Sequence, residues 1–272
     1  METKLARLTP EFVKPILRPL YRGYLRLLKI KRNRALRAQS LTVLQELVKK
    51  PILRPLYRGY LRLLKIRRDR ALRPRSRAVL HAYWENPWDE GNLPEHYLTP
   101  VVRSEFLVQL VQKYISPDAK ILEIGCNIGR NLNYLFDAGF KNLQAIEISE
   151  AAIKLLRESF PKMASQTEIY NMPVEDVIQH LGQNQYDLVF TMAVLEHIHP
   201  KSEWIFPEIV RISKEYLITI EDERTKNWRV IPRDYGRVFE ALGMSQVEQV
   251  NCSKQKEGFH SGFVARVFRK AA

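Results

Sequence analysis

The chain has 272 residues, 45% hydrophobic and 27% charged, with a formal net charge of +14 and two cysteines. This is the balance of a folded domain carrying an extension, and it excludes a disordered or fibrous chain. Two cysteines exclude a disulfide framework, and an uninterrupted apolar run no longer than Met192–Leu195 excludes a membrane-spanning helix. The opening residues lack the apolar stretch of a secretory signal, so a cytoplasmic protein is expected.

The charge is unevenly spread. Residues 1–80 hold 23 Lys or Arg against 4 Asp or Glu, whereas the remainder holds 21 against 26. The basic arm repeats itself: "KPILRPLYRGYLRLLKI" runs from Lys14 to Ile30 and again from Lys50 to Ile66. Two copies are too few to stack as a solenoid. Leu17, Leu20, Tyr21, Tyr24 and Leu28 predict the apolar stripe of a helix, flanked by Arg18, Arg22, Arg26 and Lys29. Residues 14–76 therefore suit an anionic membrane surface, making the protein peripheral to it. A helical hairpin packed on itself, or phosphate binding on a nucleic acid, are the other readings.

From about Arg77 the texture changes. His81–Pro100 is rich in Trp, Pro, Gly and acids and reads as irregular, with a helix over Val101–Ile115 after it. Strands and helices then alternate. Strands are expected at 120–125, 143–148, 168–170, 186–192 and 216–220, and helices at 127–139, 150–160, 174–181, 203–213 and 233–242. Strands at 246–251 and 263–268 close the chain. Alternation predicts an α/β fold: a Rossmann-like, mostly parallel seven-stranded sheet with an antiparallel C-terminal edge hairpin. The expected organisation is an arm over 1–80, a strap and first helix over 81–118, and a catalytic domain over 119–272.

"ILEIGCNIGRNL" (Ile121–Leu132) is a buried strand, a glycine turn and a helix start. Gly125 permits the sharp turn, and Gly129 permits a close approach of the helix to a ligand. A tight strand-to-helix turn explains two glycines by itself. Glu147 adds to them. It ends the next strand in "LQAIEIS", where a carboxylate accepts from both hydroxyls of a ribose.

With "LEIGCNIGRNL", "IEIS" and "YDLVFTMAVLEHI", the chain resembles the class I S-adenosylmethionine-dependent methyltransferases over roughly residues 101–270. "GCNIGRNL" and "VLEHIHP" are most similar to the bacterial small-molecule members. The resemblance implies S-adenosylmethionine as cofactor. It also implies that Glu123, Gly125, Cys126, Asn127 and Gly129 cradle the methionine part, that Glu147 holds the ribose and that Ile148 packs on the adenine. The adenine would lie near Val174 and Glu175, where relatives carry an acid at the position of Pro173. Met192 would border cofactor and acceptor.

Methyl transfer from a sulfonium is a displacement that needs alignment, and a base where the acceptor is a hydroxyl. His197 and Glu196 are candidates for that work, although both could serve only to order the following helix. Trp84, Trp88, Asp89 and Tyr97 lie in the strap expected over the pocket mouth and are candidates to grip a polar ring. Glu221, at a strand's carboxyl end, and His260 are candidates for the rim. No Cys/His cluster has metal-ligand spacing.

The expected activity is methyl transfer to a small molecule, such as a cell-envelope sugar or lipid-linked intermediate. The alternatives are a nucleic-acid methyltransferase using the basic arm, or an inactive cofactor-binding scaffold. Base-methylating enzymes often carry an Asn/Asp-Pro-Pro-aromatic or Pro-Cys motif where this chain reads "FTMAVLEHIHP", which disfavours the first alternative. The oligomeric state is left open.

Overall fold

The computed structural model describes residues 72–88, 90–99, 101–252 and 258–271. The duplicated arm lies outside them except for residues 72–76, and so does Asp89. Residues 71–272 form one compact unit.

Seven strands build one sheet. They are β1 (Ile121–Ile124), β2 (Leu143–Ile146), β3 (Glu168–Tyr170), β4 (Tyr186–Met192), β5 (Ser213–Asp222), β6 (Met244–Asn251) and β7 (Phe263–Lys270). Their order is β3-β2-β1-β4-β5-β7-β6. The first five are parallel, and β7 runs antiparallel between β5 and β6. A strand buried on both faces has no reason to alternate polar and apolar residues. Ile121, Leu122 and Ile124 of β1 are accordingly at most 1% exposed. Burying each such side chain contributes about 1.5–3 kcal/mol. Glu123 is the exception in this strand.

The helices are α1 (Arg77–Glu85), α2 (Val102–Tyr114), α3 (Arg130–Asp137), α4 (Glu150–Ser159), α5 (Pro161–Ala164), α6 (Val174–Val177), α7 (Ile205–Ile212) and α8 (Tyr235–Ala241). One apolar cluster packs Leu107, Leu132, Leu135 and Leu156 on one side of the sheet, and a second packs Val177, Ile205, Ile209 and Phe239. The strand order reverses between β1 and β4. A crevice opens at the carboxyl ends of such a pair, because the connections leave in opposite directions.

Two expectations are corrected. His81–Glu85 belongs to α1 rather than to an irregular stretch. Ser76 caps that helix by accepting from the Val79 amide at 3.4 Å, and Leu80 and Tyr83 form its buried stripe. The Pro- and Gly-rich texture begins only after it. The boundary placed at residue 80 consequently falls inside a helix, and Leu80, 1% exposed, is part of the core. In addition, α3 starts at Arg130 rather than at residue 127, because Asn127 and Gly129 hold left-handed backbone.

Candidate functional site

The turn after β1 lines a cavity. Gly125 has φ +74°, and a methyl group there would lie 2.5 Å from Val194 Cγ2 on the loop after β4. The bare backbone lets the two loops meet at the reversal point. The amides of Gly125 and Cys126 both donate to the Ile146 carbonyl, tying the turn to β2. Cys126 lines the cavity as a buried thiol whose pKa burial pushes well up, so it is no nucleophile. Gly129 does not line the cavity. Its missing side chain faces Leu156 and Met163, so it serves the packing of α3 on α4 and α5, not approach to a ligand.

Glu147 directly follows β2 and is 6% exposed. Its Oε2 accepts from the Asn127 amide at 2.7 Å and its Oε1 from the Ser149 amide at 2.8 Å. Burial raises its pKa and these backbone donors oppose the rise. A carboxylate has about four acceptor positions, so these donors leave part of its capacity for a ligand. Asn171, which the sequence reading passed over, donates to the carbonyls of Glu147 and Ile148 and holds this corner.

Glu123 lies beneath the cavity rather than in its wall. Its Oε1 accepts from Asn131 Nδ2 at 2.8 Å, while its Oε2 is buried with no partner. Burial pushes its pKa up to about 8. Ser104 bridges outward from there. Its hydroxyl donates to Asn131 Oδ1 and accepts from Arg130 Nε, and Arg130 Nη1 donates to the Tyr97 carbonyl. An unpartnered buried acceptor is costly unless a donor arrives.

The α1 helix forms one wall with Leu80, His81 and Trp84. His81 Nε2 lies 3.1 Å from Glu175 Oε1. That hydrogen bond raises the His81 pKa; burial pushes Glu175 up, but the His81 bond helps to hold it below the usual range. Glu175 does line the cavity, as do Ile148 and Val174, yet its carboxylate is already engaged. Pro173 precedes the helix start at Val174 and offers no acid to the cavity. Met192, 9% exposed, lies at the end of β4 and receives a weak contact from Asn131 at 3.8 Å.

His197 lines the cavity beside Trp84, with ring centroids 4.3 Å apart. Its Nδ1 lies 2.8 Å from the Arg229 carbonyl. A carbonyl only accepts, so Nδ1 carries the proton and Nε2 is left unprotonated. Burial pushes the His197 pKa down to about 4, so the ring is neutral. Glu196 points away from the cavity. It accepts from the Asp222 amide, and its Oε1 lies 3.5 Å from His197 Nε2. Burial, with Glu221 nearby, pushes its pKa up to about 9.

Of the remaining candidates, Trp84 and Tyr97 line the cavity and three others do not. Trp88 is 65% exposed and packs outside on Tyr83 and Trp228. Glu221 is fully buried, accepting from Thr191 and from the amides of Val194 and Glu196. It orders the loop after β4 and cannot reach an acceptor. His260 is exposed, 3.4 Å from Asp222. Arg103, Arg130 and Asn131 line the cavity without having been singled out from the sequence. Arg130 and Asn131 stand within the GCNIGRNL stretch without being read there as site residues, and no local motif marks Arg103, which the packing of α2 turns inward.

A reversed parallel sheet, a glycine turn after β1 and an acid directly after β2 define a nucleotide-type cofactor site. The unpartnered Glu123 oxygen, the open acceptor positions of Glu147 and the bare Gly125 fit a ribose joined to an ammonium-bearing amino acid. Residues 122–216 match the family described as "Methyltransferase domain". Over these residues, about a third of the chain, the chain is similar to a methyltransferase domain.

Among curated proteins, the chain is 25% identical over 150 residues to a ubiquinone biosynthesis O-methyltransferase of Rickettsia bellii, covering 54% of this chain and 59% of that one. It is 38% identical over 52 residues to the mouse (Mus musculus) eEF1A lysine and N-terminal methyltransferase, covering 19% of this chain and 7% of that protein. The chain thus spans less than two thirds of the length of the curated relatives it matches. Among solved structures, magnesium protoporphyrin IX methyltransferase from Synechocystis PCC 6803 with bound cofactor shares the fold at TM-score 0.55 and 14% identity. That match covers 71% of this chain and 96% of the other.

Proposed function

We propose that the chain transfers a methyl group from S-adenosylmethionine to a hydroxyl oxygen of a small molecule, with His197 receiving the proton. The observation that carries this reading is the tautomer of His197. The Arg229 carbonyl holds the proton on Nδ1, which leaves an unprotonated Nε2 on a ring that lines the cavity, with Glu196 Oε1 3.5 Å from it. The rickettsial relative is named for O-methylation, and the same type of acceptor atom is proposed here.

In this reading Glu147 holds the ribose hydroxyls, and Ile148 and Val174 pack on the adenine. Glu123, beneath the cavity, favours the ammonium above it once it has released its proton. Gly125, Cys126 and Asn127 line the methionine path, and Met192 borders the acceptor. When bound, the cofactor supplies a methyl group already activated by a sulfonium, so the protein mainly has to align and to exclude water. A neutral imidazole of low pKa suits an acceptor whose hydroxyl becomes acidic only as its oxygen is methylated. Glu196, neutral when buried, steadies His197 rather than touching the acceptor. A cavity walled by α1 favours a small acceptor over a nucleic acid.

The acceptor class proposed is a cell-envelope sugar or lipid-linked intermediate. The basic residues 14–76 would bring the enzyme to an anionic membrane surface on the cytoplasmic side. The support is the charge and the Leu/Tyr stripe of the repeat. Incubation of the full chain with methyl-labelled cofactor and a fractionated cell extract tests the reaction. Label should enter the small-molecule or lipid fraction and be lost with Glu147→Ala; label in RNA or protein overturns the reading. Co-sedimentation with phosphatidylglycerol vesicles tests the surface. The full chain should pellet with them, and equal pelleting of a chain lacking residues 1–71 removes the arm from this role.

A further inference from the structure

Arg103, the second residue of α2, lines the same cavity and is held rigidly. Its Nε donates to the Gly258 carbonyl at 2.6 Å. Its guanidinium carbon lies 5.1 Å from the ring centre of Phe259 and 5.3 Å from that of Phe263. These contacts set the plane of the fork and use one of its five donors. Among the described residues no carboxylate forms an ion pair with it. Other arginines here do find one: Arg266 meets Glu223 at 2.8 Å and Arg233 meets Glu203 at 2.9 Å.

The acids within its reach do not compensate it. Glu196 contributes an attraction, yet burial pushes that carboxyl up to about 9, so it is neutral at pH 7. Arg130, near enough for the two guanidinium charges to repel, is tied through Ser104 and Asn131 to Glu123. Arg103 is within electrostatic reach of Tyr97, Glu196 and Cys252. S-adenosylmethionine itself carries a sulfonium, an ammonium and one carboxylate, so its arrival adds net positive charge. A fixed guanidinium with donors to spare, facing an apolar cavity, favours an oxyanion.

We propose that Arg103 binds an anionic group, a carboxylate or phosphate, carried by the methyl acceptor, so that the acceptor is a small hydroxylated acid. The proposal rests on the methyltransferase reading and adds the charge of the acceptor to it. The shared chemistry has a second source, the carboxylate of the cofactor's amino-acid part, and the test separates the two.

Calorimetry on the full-length chain saturated with S-adenosylhomocysteine would compare benzoate, phenyl phosphate and benzyl alcohol. One of the two anions should bind at least ~10-fold tighter than the alcohol, a difference of about 1.4 kcal/mol. Arg103→Gln should erase that preference and Arg103→Lys should keep part of it. S-adenosylhomocysteine affinity should stay within ~3-fold of wild type in both variants, which also shows that they fold; that ratio is about 0.65 kcal/mol. The proposal fails if neither anion is preferred, or if Arg103→Gln keeps the preference. It fails equally if Arg103→Gln weakens S-adenosylhomocysteine but not 5′-methylthioadenosine, which lacks the amino-acid part, for then Arg103 holds the cofactor. If the wild-type chain does not bind S-adenosylhomocysteine at all, the methyltransferase reading falls first and takes the proposal with it.

Discussion

Gly125→Ala should cost the protein about 2–5 kcal/mol, assembled from two separate penalties. The first is backbone conformation. Gly125 holds φ +74°, and an L-residue in left-handed backbone costs about 1–2 kcal/mol. The second is contact. The added methyl would stand 2.5 and 3.0 Å from the two Cγ atoms of Val194, and overpacking of this kind costs about 1–3 kcal/mol. All three nearest atoms belong to that one side chain, so the second penalty can be removed by itself. Urea denaturation of the full chain as wild type, Gly125→Ala, Val194→Ala and the double variant closes a cycle. The double variant should be more stable than the sum of the singles by about 1–2 kcal/mol, while the backbone penalty persists. Additive singles would show that the two loops do not meet as described. A Gly125→Ala chain within about 0.5 kcal/mol of wild type would refute the conformational argument as well.

Glu147→Ala should weaken S-adenosylhomocysteine binding by about 10–100-fold in calorimetry, from the loss of charge-assisted bonds worth about 1.5–3 kcal/mol each. His197→Gln should lower the turnover rate by about 100-fold or more while leaving S-adenosylhomocysteine affinity unchanged, since a positioned proton acceptor contributes on that scale. Glu196 is held far above its unfolded value, so its burial costs nothing below about pH 4.3 and increasingly more up to about pH 9. Glu196→Gln should therefore gain stability relative to wild type as denaturation is measured from pH 5 to pH 9. The His81–Glu175 pair has the opposite profile. His81 is raised, so its contribution is whole below about pH 6.5 and fades as pH rises through its folded value. Glu175 is lowered, so its contribution fades as pH falls through its folded value below about 4.3. His81→Ala should thus cost most near pH 5.5 and less at pH 9, by at most about 1 kcal/mol for a partly exposed pair.

The sheet was legible because its signals are local. Apolar runs such as Ile121–Ile124 and Tyr186–Met192 have strand length and end in turns, and Glu147 is an acid at a strand end, so position along the chain already says where each lies. The helix α1 was hidden because Trp, His and Tyr at its C-terminal end resemble the loop that follows, and its cap at Ser76 precedes the change in texture. The cavity wall was hidden for another reason. His81 meets Glu175 across 94 positions and Arg103 meets Gly258 across 155, and no periodicity reports such partners. Glu221 shows the reverse error. A strand's carboxyl end was a sound place to look, but the loop after β4 folds over that position and consumes the carboxylate.

The residues that match the family run from 122 to 216, yet Leu80, His81, Trp84, Tyr97 and Arg103 all stand before them. The match thus takes in the turn at Gly125, Glu147 and also Met192 and His197, and stops short of the wall built by α1, the strap and the start of α2. Exchange of the segment from α1 to the start of α2 could change what is admitted without disturbing the turn at Gly125 or the acid at Glu147. Acceptor choice in this architecture can drift while the cofactor stays the same.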